Sequence, residues 1–229
     1  MSYDTPYIVQ PTVEALRLSG LWDEALALLP AEATGVRAHL ATERFFWRLE
    51  GAAEAEEAVE ALGRRDSALA GFYRAQLAYT RIIFLDPRPG DADRARRGIS
   101  GATGHPRAAD WATFWQGVLA QHLDRDPEGA LPYFRKALAA SRDRKDRLLE
   151  SYAIRHLGGD AVERGDDTGL DLLRRSYHLR SALGARPQTA AAAATLAEAL
   201  PPGAEAESLT ETARATAHDL GLTWLRTAL

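Results

Sequence analysis

Apolar and small residues recur along this chain in a pattern that repeats every 33 to 40 residues. Ala25, Ala58, Ala95, Ala130 and Leu170 stand at equivalent positions, separated by 33, 37, 35 and 40 residues. Four residues after each comes Leu29, Leu62, Ile99, Phe134 or Arg174, the last with Leu173 beside it. A spacing of i, i+4 sets both members on one face of a helix, so each segment predicts a helix with a buried seam. Twelve and thirteen residues before the anchors lie mostly apolar pairs such as Phe45/Phe46 and Ile82/Ile83. Sixteen before lie Val9, Thr42, Tyr79, Phe114 and Ile154, which predict a preceding helix in each unit.

Five residues before the anchors stand Gly20, Ala53, Gly90, Arg125 and Gly165. Three of these five are glycine, which suits the tight turn between two paired helices. Asp126-Pro127-Glu128 is a helix start, because aspartate caps the first turn and proline fits its first position. A sixth pair is expected from Pro187 to Leu200 and Ala204 to Leu220, divided by Pro201-Pro202-Gly203, with a short closing helix from Leu222 to Leu229. No linker long enough to separate domains is visible, so residues 1–229 read as one array in which each repeat leans on its neighbours.

The small and aromatic positions Leu157-Gly158, Gly165-Asp166 and Ala130, Phe134, Ala137 resemble the tetratricopeptide repeat, a helix-turn-helix unit of about 34 residues. From Trp111 to Gly184, SYAIRHLGG followed by ERGDD and LLRRSYHLRSALG is similar to repeat arrays of actinobacterial regulators. The sequence departs from the motif at Arg125 and Leu170. The resemblance implies an all-α fold: a right-handed superhelix of about six antiparallel helix pairs with a C-terminal capping helix. It also implies that the first helices line a concave groove. Transferring the family's offsets unit by unit places Tyr7, Gln10, Glu14 and Arg17, then Glu43, Trp47 and Glu50, then Leu77, Thr80 and Phe84 on that groove. Trp115, Leu119 and His122, then Tyr152 and Arg155, continue it. Trp47, Phe84 and Trp115 would make its middle aromatic, and a contiguous exposed apolar patch marks an interaction site. The competing reading is that aromatics at helical spacing are core. Glu14, Glu43 and Glu50 would add an acidic wall, with Arg155 a positive group further on.

Composition narrows the function. The net charge of −4 and an isoelectric point near 5.9 disfavour a nucleic-acid grip, which needs basic excess to neutralise phosphates. Neither a signal-peptide pattern nor about 18 consecutive apolar residues is present, so a cytoplasmic protein without a membrane span is expected. Cysteine is absent, which removes disulfides, thiolate zinc sites and cysteine nucleophiles. The preference for arginine over lysine and the abundance of alanine read as a GC-rich bacterial genome.

Signals for chemistry are weak. None of the six histidines forms an HExxH or another i, i+4 imidazole pair, so no metal and no cofactor are expected. His156 and Asp160 share a helix face and read as a surface hydrogen-bonding pair. Glu50, Glu54 and Glu57 read as a solvated face. Gly98 to Gly104 fits no phosphate-binding loop and reads as a connector. The clusters Arg94, Arg96, Arg97 and Arg142, Arg144, Lys145, Arg147 read as helix-end cations.

The expectation is a non-enzymatic protein- or peptide-binding module, regulatory in role, acting through a separate partner because no DNA-binding or nucleotide-binding segment is legible beside the array. The alternative is a small-molecule sensor or biosynthetic enzyme with a pocket enclosed by the helices. A further alternative is self-association, a homodimer in which the terminal helix with Trp224 and Leu225 covers a neighbouring subunit.

Overall fold

The computed structural model describes residues 10–229. Among these residues it is all-helical, with thirteen helices and no strand: α1 Gln10–Ser19, α2 Trp22–Ala27, α3 Thr34–Arg48, α4 Ala52–Gly63, α5 Ser67–Phe84, α6 Asp91–Gly101, α7 Ala109–His122, α8 Pro127–Arg144, α9 Arg147–Glu163, α10 Thr168–Ala182, α11 Arg186–Ala199, α12 Ala204–Leu220 and α13 Thr223–Ala228. The chain forms two compact units, one ending at Ala112 and one running from Thr113 to Leu229. Tyr7 and Val9 lie outside the described residues.

Within each unit consecutive helices pack on one another, an arrangement compatible with a helical repeat. In the first unit the order α1 to α6 is also the order of packing, and α3 additionally touches α5. In the second, α8 to α13 pack in chain order, and α9 additionally touches α11. The periodic positions account for this. The anchors Ala25, Ala58, Ala95 and Ala130 are buried, as are Leu29, Leu62, Ile99 and Phe134 one turn later. Thr42, Tyr79, Phe114 and Ile154 on the leading helices are buried as well. In the fifth unit Leu173 takes the core place, at 2% exposed, whereas Leu170 is half-buried and Arg174 pairs with Glu205 on α12 at 2.9 Å.

The turns follow the sequence with one shift. Gly20, Gly90 and Gly165 have positive φ of 80°, 81° and 70°, and Arg125 adopts the same left-handed region at 55° although it bears a side chain. Ala53 does not make the second turn; it lies within α4, and Leu49 and Gly51, with φ of 58° and 75°, turn the chain ahead of it. Aspartates start three helices. The Asp66, Asp126 and Asp146 carboxylates accept from the amides of Leu69, Gly129 and Leu149 at 3.0, 2.8 and 2.9 Å. Each such cap stabilises its helix by about 1 kcal/mol.

Two segments differ from expectation. Gly98 to Gly101 belong to α6, so the connector to α7 is shorter than the glycine spacing implied. The same helix contains Arg94, Arg96 and Arg97 in its middle, away from its C-terminal end. Gly98 lies where α5 and α6 approach closely, which leaves no room for a side chain. A β-carbon at Gly98 would lie 2.2 Å from the Gly71 carbonyl oxygen and 2.8 Å from Ala75 Cβ. Gly98→Ala is therefore expected to cost about 1–3 kcal/mol by overpacking. A chemical-denaturation midpoint equal to wild type would show that the two helices have room to part.

Ion pairs reinforce both units. In the first, Asp91, 1% exposed, accepts from Arg81 Nε and Nη2 at 2.8 and 2.9 Å and from the Arg88 amide at 2.9 Å, and it also pairs with Arg94. Burial pushes the Asp91 carboxyl up, but the Arg81 hydrogen bonds, the Arg88 amide and the Arg81 charge outweigh it, lowering its pKa from 3.8 to about 2. In the second, Glu150, also 1% exposed, gathers Arg142 of α8, Arg147 of α9 and Arg175 of α10 at 3.5, 2.7 and 2.8 Å. Burial raises the Glu150 carboxyl and the Arg147 hydrogen bond and neighbouring guanidinium charges more than reverse it. Both carboxylates are thus more acidic folded than unfolded. Their stabilisation is complete above the ordinary carboxylate range and lost as pH falls through it toward the folded values. For Asp91 that window runs from near 3.8 down to about 2. Circular dichroism across this acid range should show falling thermal midpoints, whereas a flat profile would mean that these pairs do not contribute.

Candidate functional site

The leading helices bury more of themselves than the single-partner reading predicts. α3 packs on α5 and α9 on α11 as well as on their own partners. Trp47 is 2% exposed, Leu77 2%, Leu119 5% and Thr80 0%. These four are packing residues in this structure, and the Thr80 hydroxyl donates to the Gln76 carbonyl at 2.9 Å. A row of exposed rings formed by Trp47, Phe84 and Trp115 is therefore not available: Trp47 is core, and Phe84 and Trp115 are half-buried. Phe84 meets Phe46 edge-on at 5.7 Å, and Phe46 meets Trp47 at 5.4 Å. Glu50 is exposed, together with Glu54 and Glu57 on the solvated side of α4.

In the first unit the expected acidic wall is largely neutralised from within. Arg17 of α1, 7% exposed, donates to Glu14 at 2.9 and 2.7 Å and to both carboxylate oxygens of Glu43 on α3 at 3.1 and 3.0 Å. Partial burial raises the Glu14 carboxyl, and the hydrogen bond and charge of Arg17 bring it below the ordinary value. His39 stacks on Tyr73 of α5 at 5.7 Å, and burial together with the Arg17 charge lowers its pKa below the ordinary value, against the opposing charges of Glu43 and Glu14. This is a paired cluster with its hydrogen bonds directed inward.

The second unit brings three of the expected groove residues together. Tyr152 and Arg155 lie half-buried on α9, and His122 is exposed at the end of α7. Tyr152 and His156 both meet the Phe114 ring, at 5.6 and 5.4 Å, and His122 lies 6.3 Å from His156. Arg155 Nη2 donates to Thr195 Oγ1 on α11 at 3.3 Å. Trp115, beside Phe114 at 6.3 Å, adjoins this cluster.

Two members were not expected from the sequence. His156 is buried, stacked on Phe134 at 4.4 Å, and its Nδ1 donates to Gln121 Oε1 at 2.8 Å. It does not pair with Asp160, which instead meets Arg164 at 2.5 Å. Burial drives the His156 imidazole well below its ordinary pKa, and Arg155, His122 and Arg180 add to this. His122 is lowered by burial and by Arg155. The second unexpected member is Arg180 of α10, 3% exposed, whose guanidinium lies over the Tyr152 ring at 4.3 Å.

Neither the sequence nor the fold matches a known protein, whether as a family model, a curated protein or a solved structure.

What the cluster can do chemically follows from its residue types. It holds two guanidinium groups, two imidazoles, a phenol and aromatic faces, side-chain types capable of hydrogen bonding, charge pairing and stacking. Among the described residues no group of three His, Cys, Asp or Glu side chains is placed to hold a metal ion. A shallow cavity of about 220 Å³ between α10, α11 and α12, bordered by Arg174, Tyr177, Leu196 and Glu205, is smaller than the roughly 300–1,000 Å³ of ordinary ligand pockets. No helix among the described residues is long and apolar enough to cross a membrane. At the C-terminus Leu225 is 2% exposed, α13 packs on α12, and Arg214 donates to the Leu229 carbonyl at 3.0 Å, so the closing helix is seated on its own chain.

Proposed function

We propose that this chain is a tetratricopeptide-like binding module, without catalytic activity of its own, that takes up a peptide or protein segment along its leading helices. The observation that carries this reading is the convergence of His122, Tyr152 and Arg155 beside Trp115 in the second unit, at positions that the repeat offsets assign to the ligand face. Rigid aromatic and arginine side chains of this kind supply most of the energy at recognition surfaces. The consecutive pairing of helices within each unit supports a repeat architecture for the scaffold that presents them.

Selection from a displayed library of random peptides tests this. Recovered peptides are expected to bind the wild-type chain and to lose about tenfold or more in affinity when Arg155→Ala or Trp115→Ala is introduced, the scale of a lost anchor residue. Glu54→Ala, on the solvated side of α4, should leave binding unchanged. Failure to recover any peptide whose binding responds to the first two substitutions would overturn the reading.

A further inference from the structure

Three arginines of the second unit converge on a single acid. Arg142 Nε and Arg175 Nη2 reach the same oxygen of Glu150, Oε1, at 3.5 and 2.8 Å, and Arg147 Nη1 reaches Oε2 at 2.7 Å. Both oxygens belong to one carboxylate, so the three guanidinium groups are held side by side although they come from α8, α9 and α10. Among the described residues no other carboxylate lies within ion-pair distance of any of them. The network around Asp91 is composed differently, because Glu56 supplies a second carboxylate to Arg81 and Arg88. At Glu150 one negative charge answers three positive ones.

The order of burial decides which charge is presented outward. The Glu150 side chain is 1% exposed, whereas those of Arg142, Arg147 and Arg175 are 51%, 58% and 49% exposed. The acid lies beneath, and the solvent-facing part of the cluster is guanidinium. Each arginine commits one nitrogen to Glu150 and keeps further N–H groups that make no hydrogen bond among the described residues. Like charges gathered in this way repel one another, and an external anion with oxygens for the remaining donors lowers that repulsion.

We propose that Arg142, Arg147 and Arg175 form a binding site for a phosphate dianion, with Glu150 as the buried post that positions them. The excess of positive over negative charge in the cluster matches a dianion, whereas a single carboxylate would leave one guanidinium uncompensated. The planar fork of a guanidinium fits two phosphate oxygens at once, and three forks from three helices offer more donors than a point charge could. The site uses none of His122, Tyr152, Arg155 and Trp115, so it stands or falls separately from the peptide-binding reading.

The probe is inorganic phosphate, titrated into the full chain at constant low ionic strength and mildly alkaline pH, where it is a dianion. Acetate and chloride form parallel arms, calorimetry reads binding and thermal melting reads stabilisation. Phosphate is expected to bind saturably and to raise the melting temperature beyond acetate and chloride. Arg142→Gln and Arg175→Gln, both at half-exposed side chains, should keep the wild-type circular dichroism spectrum and each weaken phosphate binding about tenfold or more, as for a lost charge-assisted hydrogen bond. Arg164→Gln, which removes the same charge at the other end of α9, should leave binding unchanged. Absence of saturable phosphate binding, equal effects of the three anions, or the same loss in Arg164→Gln as in Arg175→Gln would overturn the proposal.

Discussion

Asp91→Ala is expected to destabilise the first unit by about 3–5 kcal/mol, the range for stripping one partner from a buried ion pair. The size follows from what remains behind. Arg81 donates two hydrogen bonds to this carboxylate and is 7% exposed, so its guanidinium keeps only Glu56 at 3.0 Å, itself shared with Arg88. The Arg88 amide also loses its acceptor, which loosens the turn from α5 into α6. Asp91→Asn keeps an oxygen for the amide but removes the charge, and should fall between wild type and Asp91→Ala. Urea denaturation followed by circular dichroism measures both. A loss under about 1 kcal/mol for the alanine variant, within the range of a surface ion pair, would mean that the network is solvated in practice.

Phe134→Ala is expected to cost a further unit-specific loss of about 3–5 kcal/mol in the second unit, because a large ring leaves a cavity that packed neighbours only partly fill. Phe134 is 1% exposed, and a β-carbon added at Gly117 would lie 2.7 Å from its ring, so the ring packs directly against the backbone of α7. It also forms one wall of the His156 site. The same substitution should admit water to that imidazole and raise its pKa toward the ordinary value, since burial is the largest cause of its depression. Denaturation curves give the stability, and titration of the His156 ring signals by NMR gives the shift. An unchanged imidazole in a destabilised variant would show that the cavity collapses and stays dry.

The helices were legible because their information is local. Alanine and leucine at i, i+4 spacing marked the trailing helices, and the residues sixteen positions before the anchors proved to be core in every unit from the second to the fifth. Turn positions were legible where glycine occupied them, and Arg125 kept the turn without glycine because its backbone accepts the left-handed conformation. The second turn slipped because its glycine, Gly51, stands two residues ahead of the aligned position. The site was only half legible. Offsets named His122, Tyr152 and Arg155 of the candidate cluster, but they assume that a leading helix has one neighbour, whereas α3 also contacts α5, α9 also contacts α11, and residues such as Trp47 and Thr80 are buried. Arg180 carried no signal at all. In LLRRSYHLRSALG it is one of three arginines on a trailing helix, and nothing local distinguishes the buried one from Arg174 and Arg175.

The Glu150 carboxylate of α9 pairs with Arg142 of α8 and Arg175 of α10, besides Arg147 of its own helix, so the ion pairing between α9 and both of its neighbours meets on one pair of oxygens. Damage there spreads differently from damage at a pairwise contact. Changing Arg142 or Arg175 removes one interhelical pair and leaves the other, whereas neutralising the shared acid releases both, together with the Arg147 pair within α9, and sets three like charges against each other. This ion-pair network is thus more tolerant of change at any one of Arg142, Arg147 and Arg175 than at Glu150.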